Sequence, residues 1–298
     1  MKPDFPDVSE RSSPSSGDMS CCIVIPVYKA VPEKTEIISL CQCLSVLSQY
    51  QIIITTYREL DCSAYNKIFE EYNLTVVYEY FSFRYFCSLW GYNALMLTKR
   101  FYKRFKSYKY MLVYQLDAYI FRDELAYWCR QDYDYIGAPW LSNTSITEPP
   151  VFGNTWTGAA VGNGGFSLRK IDTFIHLNSS EIKRMYVLSL CVSWFDMLAK
   201  KSRKNLFYKI ARCVLFPFKI LCDKINWAAD VRKAEDSVWS KLIKIHGKMP
   251  SGEIAMRFSF EAYCDYLYEL TNHELPFGCH GWPEYYRWKL FWRQFIQL

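Results

Sequence analysis

Apolar and polar positions change period in blocks along this chain. Cys21-Cys22-Ile23-Val24-Ile25-Pro26-Val27 is a short apolar run ended by proline. That is the pattern of a strand buried on both faces, as in a parallel sheet. Ile37, Leu40, Leu44 and Leu47 then recur at helical spacing within residues 33–48. Residues 51–56 and 74–80 predict a second and a third buried strand. Residues 86–105 predict one long helix, with Lys99, Arg100, Lys103 and Arg104 at the end that the helix dipole makes negative. Residues 110–116 predict a fourth strand, with Asp117 at its carboxyl edge. This alternation implies a mostly parallel central sheet flanked by helices. Ligands of such sheets bind beyond the carboxyl ends of the strands, where residues 26–28 and Asp117 fall. Beyond Asp117 the pattern becomes irregular, with short strands expected at 135–138 and 161–168. Glu235-Asp236 opens a further helix running to His246.

The chain has 298 residues, enough for one large α/β domain, expected over 21–298 after a disordered polar tail at 1–20. The tail reads neither as a signal peptide nor as a membrane span. Of the 12 cysteines none forms a CxxC pair, and their spacings match no zinc knuckle or disulfide framework. The expectation is therefore a reducing cytoplasm. A formal charge of +6 is modest. It suits a diphosphate or an anionic membrane surface and is too weak to argue for nucleic acid. The 24 tyrosines and 10 tryptophans suit stacking on sugars and bases as well as an aromatic core.

Four motifs can carry chemistry. In Tyr114-Gln115-Leu116-Asp117-Ala118-Tyr119 an acid ends a buried strand. It asks for a partner such as Mg²⁺ or Mn²⁺, or it caps a helix starting near Asp123. Gly162-Asn163-Gly164-Gly165-Phe166-Ser167-Leu168-Arg169 lets backbone approach a ligand or simply turn. No Lys-Ser/Thr follows, which excludes a P-loop. Glu235-Asp236 at a helix start is either dipole-favoured capping or a general base facing a cleft. Pro276-Phe277-Gly278-Cys279-His280 places a histidine in a glycine-flanked loop.

In this order the motifs resemble the GT-A nucleotide-sugar glycosyltransferases. Ile25-Pro26-Val27-Tyr28 stands for the opening strand, and Gln115-Leu116-Asp117 for the D-x-D metal motif. Gly164-Gly165, Glu235-Asp236 and His280 follow in turn. The Tyr-Gln-Leu-Asp-Ala-Tyr, Gly-Asn-Gly-Gly-Phe-Ser-Leu-Arg and Pro-Phe-Gly-Cys-His stretches are similar to those of an uncharacterised glycosyltransferase-like family of polysaccharide biosynthesis, over roughly residues 21–285. The resemblance implies a GT-A-like domain, a nucleotide-sugar donor such as a UDP-sugar, a glycan or lipid-linked acceptor, and a divalent cation, Mn²⁺ or Mg²⁺. It implies Asp117 and His280 as metal ligands and Asp236 as base. Glu235 and Gly164-Gly165 would hold sugar and acceptor. Pro26, Tyr28, Asn93 and Gln115 are the further donor contacts. A single base implies an inverting displacement. Gln115 departs from the first Asp of the motif, which keeps open a sugar-nucleotide-binding protein without turnover. A nucleotidyltransferase is the other alternative.

The long gap between Gly165 and Glu235 implies an insertion at 178–232. There Leu206, Phe207, Ile210, Val214, Phe218 and Leu221 share one helical face, with Lys209, Arg212 and Lys219 largely opposite. This reads either as an interfacial helix at the inner face of a membrane or as an ordinary packed helix. The C-terminal stretch, with Trp288, Leu290, Phe291, Trp292 and Phe295 among Arg287, Lys289 and Arg293, has a similar pattern.

Overall fold

The structure is a computed structural model that describes residues 21–142, 149–153, 159–177 and 234–298. The tail at 1–20 and the amphipathic stretch at 206–225 lie outside the described residues. The chain runs β1 (Cys21–Pro26), α1 (Lys34–Leu47), β2 (Gln51–Thr56), α2 (Ser63–Glu71) and β3 (Val77–Tyr80). It continues with α3 (Leu89–Met96), α4 (Lys99–Lys103), β4 (Tyr110–Tyr114), β5 (Ala118–Ile120), α5 (Leu125–Arg130) and β6 (Tyr135–Ile136). Two short strands follow, β7 (Leu141–Ser142) and β8 (Val151–Phe152), then β9 (Phe166–Lys170) and α6 (Ile171–Leu177). The last described part holds α7 (Glu235–His246), α8 (Gly252–Phe258), β10 (Ser259–Phe260), α9 (Cys264–Leu270), β11 (Gly278–His280) and α10 (Tyr285–Leu290).

The central sheet has six strands in the order β3-β2-β1-β4-β9-β6. The first four are parallel, and β9 runs antiparallel to both its neighbours. Strand periodicity explains its two coats. Ile23, Ile25, Ile52, Ile54, Leu112 and Tyr114 point to the face covered by α1, α2 and α5. Val24, Ile53, Met111 and Val113 point to the other, covered by α3, α4, α6 and α7. Both faces of β1, β2 and β4 are thus dry, as their unbroken apolar runs require. Each fully buried Ile or Val contributes about 1.5–3 kcal/mol.

Beyond β4 the chain turns back on itself, Ala118 N–H donating to the Gln115 carbonyl at 2.9 Å. Strand β5 then pairs antiparallel with β11, which pairs parallel with β10. This small sheet brings the C-terminal part of the chain back to the end of β4.

Four sequence expectations change. Residues 86–105 do not form one helix. Ser88 caps α3, and Thr98, in extended conformation, accepts from Phe101 N–H and starts α4 anew. The strand expected at 161–168 starts only at Phe166. Asn163 has positive φ, and its side-chain oxygen takes the N–H of Gly165 and Phe166, which turns the chain before β9. The third strand begins at Val77 rather than at residue 74. In the aromatic C-terminal run Phe291, Trp292 and Ile296 are core, buried against Phe260, Cys279 and Trp282 and so not available for a membrane, whereas Leu290 is exposed.

Candidate active site

Asp117 stands past the end of β4, as its place in the apolar run predicts. Asp123, not Asp117, holds the start of the following helix, accepting from Leu125 N–H at 3.0 Å. Pairing of β11 with β5 sets His280 opposite Ala118. Its Nε2 comes 3.1 Å from Asp117 Oδ1 and 3.2 Å from Gln115 Oε1. The other ring nitrogen, Nδ1, lies 3.2 Å from Glu261 Oε1. Glu261 follows β10 directly and reaches the ring because β10 lies beside β11. Burial works against a charged imidazole, but Asp117 and then Glu261 override it and push the His280 pKa up to about 10. Burial likewise works against both carboxylates. His280 overrides it, holding Asp117 and, with Asn163 and Arg287, Glu261 below the ordinary range.

One oxygen of Asp117 is held by charge rather than by a well-aligned hydrogen bond. Oδ1 is shut off from solvent and, although His280 Nε2 is within ion-pair distance, makes no well-aligned hydrogen bond. The side chain as a whole is 42% exposed, so its other oxygen opens to the cleft. The buried hydroxyl of Tyr92 likewise approaches Gln115 without good hydrogen-bond alignment.

Among the described residues no group of three His, Cys, Asp or Glu side chains is placed to hold a metal ion. Asp117 and His280 do make a pair of suitable donors, and the Gln115 amide oxygen completes a mixed set. Their separations of 3.1 and 3.2 Å are those of a charged imidazole hydrogen-bonded to Gln115 and ion-paired to Asp117. A divalent cation held by these three side chains would have to take the place of the Nε2 proton. Glu261 would then keep Nδ1–H and orient the ring, as carboxylates behind ligating histidines do.

The glycine pair serves close packing. Gly165 carries the carbonyl that accepts from Gln115 N–H at 2.8 Å, and a Cβ there would overlap the His280 ring. A Cβ on Gly164 would overlap the Glu235 carboxylate. In the Cβ direction the space at each glycine is thus filled by protein.

Glu235 and Asp236 separate sharply. Glu235 is buried and clamps the buried guanidinium of Arg169 with both oxygens, at 2.6 and 3.0 Å. Arg169 is completed by Tyr102 Oη, Ser167 Oγ and the Gly164 carbonyl. Glu235 is thus an anchor of α7 rather than a group facing substrate, a correction to its sequence reading. Asp236, one residue on, takes Ser237 N–H at 2.6 Å and no other hydrogen bond among the described residues. Burial, then the Glu235 charge, pushes its pKa up to about 6, and Glu261 acts in the same direction.

A cleft of about 390 Å³ leads away from Asp117. Pro26 and Tyr28 line it from β1, Ser88 and Tyr92 from α3, and Gln115 and Asp117 from beyond β4. Tyr28 is 56% exposed and presents its ring. Asn93 is not in this lining. It is buried on the core side of α3, and its neighbour Tyr92 faces the cleft instead. Sequence reasoning missed Tyr92, Asn163 and Glu261. Asn163 alone carried a local signal, an Asn within a glycine run.

Residues 75–280 match the family described as protein of unknown function DUF5672. The chain belongs to that family. The stretch of this DUF5672 protein that matches, more than half of the chain, takes in Tyr92, Gln115, Asp117, Asn163, Asp236, Glu261 and His280. No curated protein matches it by sequence. Similar solved structures include core-mannan synthase A of Aspergillus fumigatus in a Mn/GDP form, at 11% identity over 78% of this chain and 72% of that one, TM-score 0.41. The apo glycosyltransferase GlyE of Streptococcus pneumoniae is similar at 13% identity and TM-score 0.43; 89% of this chain corresponds to 54% of that protein, about half its length. Apo mouse xyloside xylosyltransferase 1 is similar at 11% identity over 87% and 97% of the two chains, TM-score 0.46.

Proposed function

We propose that this DUF5672 protein is a GT-A-type glycosyltransferase that moves a sugar from a nucleotide carrier to an acceptor hydroxyl. The observation that carries the reading is the convergence of Gln115 Oε1, Asp117 Oδ1 and His280 Nε2 at the carboxyl edge of the parallel sheet, beside a cleft walled by Tyr28. Two buried polar atoms there, Asp117 Oδ1 and the Tyr92 hydroxyl, have no well-aligned hydrogen bond. Asp117, His280 and Gln115 would hold Mn²⁺ or Mg²⁺, which offsets the charge of a departing nucleoside diphosphate. Tyr28 supplies a face for the base, and the Tyr92 hydroxyl a hydrogen bond to the donor. Asp236, ionised above about pH 6, accepts the proton of the acceptor hydroxyl. A single displacement with Asp236 as its one base would invert the anomeric configuration. A UDP-sugar donor, an acceptor in polysaccharide or glycan assembly, and action at the cytoplasmic face of a membrane belong to the same proposal.

The neutral Gln115 favours one second reading, a nucleotide-sugar-binding protein without turnover. A panel of nucleotide sugars, with and without Mn²⁺, separates the two. Transfer or hydrolysis releasing nucleoside diphosphate supports the enzyme. Binding that raises the melting temperature with no product supports the second reading. Asp117→Ala and EDTA should each abolish turnover. Full activity in EDTA would remove the metal from the mechanism, and release of pyrophosphate would make the protein a nucleotidyltransferase.

A further inference from the structure

A second cavity of about 680 Å³ opens at the carboxyl ends of β2 and β3. It lies next to the candidate active-site cleft, and Tyr85 belongs to the walls of both. Parallel pairing of β2 with β3 sets Thr56 opposite Tyr80, so the residues that follow the two strands meet. Its size falls within the roughly 300–1,000 Å³ of small-molecule sites.

The walls are aromatic. Tyr57 packs edge-on against Phe83 with ring centres 5.0 Å apart, and Tyr80 and Tyr85 complete them. Three cations line the same space. The Arg58 guanidinium lies 5.0 Å from the centre of the Tyr80 ring. That of Arg84 lies 4.8 Å from the Tyr85 ring and donates to its hydroxyl at 2.9 Å. Arg100 enters from α4. Their neighbour Arg104 is neutralised by Glu79 at 3.1 Å. No carboxylate among the described residues is within ion-pair distance of Arg58, Arg84 or Arg100, and Glu59 is the one acid among the described lining residues. Guanidinium groups laid on rings keep N–H edges free for paired oxygens, the geometry that recognises carboxylate and phosphate. Aromatic faces between them suit the apolar face of a sugar ring.

We propose that this cavity is the acceptor subsite and that the acceptor is an anionic glycan, a saccharide bearing carboxylate or phosphate groups near the hydroxyl that is extended. The assignment rests on the glycosyltransferase reading for the word acceptor, but the ligand chemistry can be tested without turnover. Calorimetric titration of the full chain at fixed salt would use trigalacturonate, glucose 1-phosphate and neutral maltotriose, and separately UDP and GDP with Mn²⁺. The Arg58→Gln/Arg84→Gln double variant changes only exposed side chains, and its melting temperature checks the fold. At least one anionic probe should bind about tenfold or more tightly than maltotriose, and the double variant should lose that preference with nucleotide binding unchanged. Which anionic probe binds tells carboxylate from phosphate. Equal binding of charged and neutral probes, or a preference that survives in the double variant, overturns the proposal. Nucleotide affinity that falls with the arginines also overturns it, by placing them in the donor site. A chain that prefers the anionic probe yet turns over no nucleotide sugar keeps the anionic-glycan site and sinks the enzyme. A chain that glycosylates only neutral acceptors does the reverse.

Discussion

Replacing Asp236 by Asn should make the protein more stable at neutral pH while removing its transfer activity. Burial and the adjacent Glu235 charge raise the Asp236 pKa from its ordinary 3.8 to about 6. A carboxyl whose folded pKa is raised binds its proton more tightly in the native state. Its stabilising contribution is therefore fully present below pH 3.8 and lost as pH rises through 6. Above that, the native state holds a charge it disfavours by about two pK units, or ~3 kcal/mol at 1.36 kcal/mol per unit. Asparagine removes the charge and keeps an oxygen for Ser237 N–H. It forgoes about 0.3–1 kcal/mol of favourable dipole interaction at the start of α7. The net gain is about 2 kcal/mol, several degrees in melting temperature for a chain of this size. Scanning calorimetry of both proteins from pH 4 to pH 8 reads it out. The two should nearly coincide at the acid end, diverge as pH rises toward 6, and stay apart above. A difference that does not vary with pH, or a less stable variant at pH 7.5, would refute the reasoning. The same variant should bind nucleotide sugar normally and lose about 10²–10⁴ in rate. Wild-type turnover should rise with pH through about 6.

Further outcomes follow from the same geometry. Gly165→Ala puts a methyl into the His280 ring, and should destabilise the fold by about 1–3 kcal/mol and weaken Mn²⁺ binding measured by calorimetry. A variant that binds Mn²⁺ as the wild type does would show that His280 is no ligand. Arg169→Leu strands a buried Glu235 and should cost about 3–5 kcal/mol in urea denaturation, much of it restored by adding Glu235→Leu. If Arg169→Leu/Glu235→Leu is no more stable than the single variant, the pair is not what holds α7. Salt-sensitive co-sedimentation with anionic liposomes should fall when Lys209, Arg212 and Lys219 become Glu. Absence of sedimentation would remove the amphipathic stretch as a membrane contact; among the described residues no helix is long and apolar enough to cross a membrane.

The apolar runs of β1, β2 and β4 were legible because a strand dry on both faces must be apolar at nearly every position, whatever it packs against. The same pattern set Asp117 at a strand end, and therefore at the ligand edge of the sheet. Local pattern could not say which of two adjacent acids is locked in an ion pair. Glu235 and Asp236 differ only in direction from α7, and the buried Arg169 took the first and left the second. Nor could it split the 86–105 stretch, where a single Thr98 hydroxyl offers the backbone a cap that outweighs helical continuity. The site itself is a product of long-range pairing. Gln115 and His280 are 165 residues apart in sequence, and antiparallel registry of β11 on β5 makes them neighbours. Glu261 joins them only because β10 lies beside β11. Periodicity reports how deeply each element is buried. Which side chains converge depends on strand order and register, and these are settled by the packing of the whole chain.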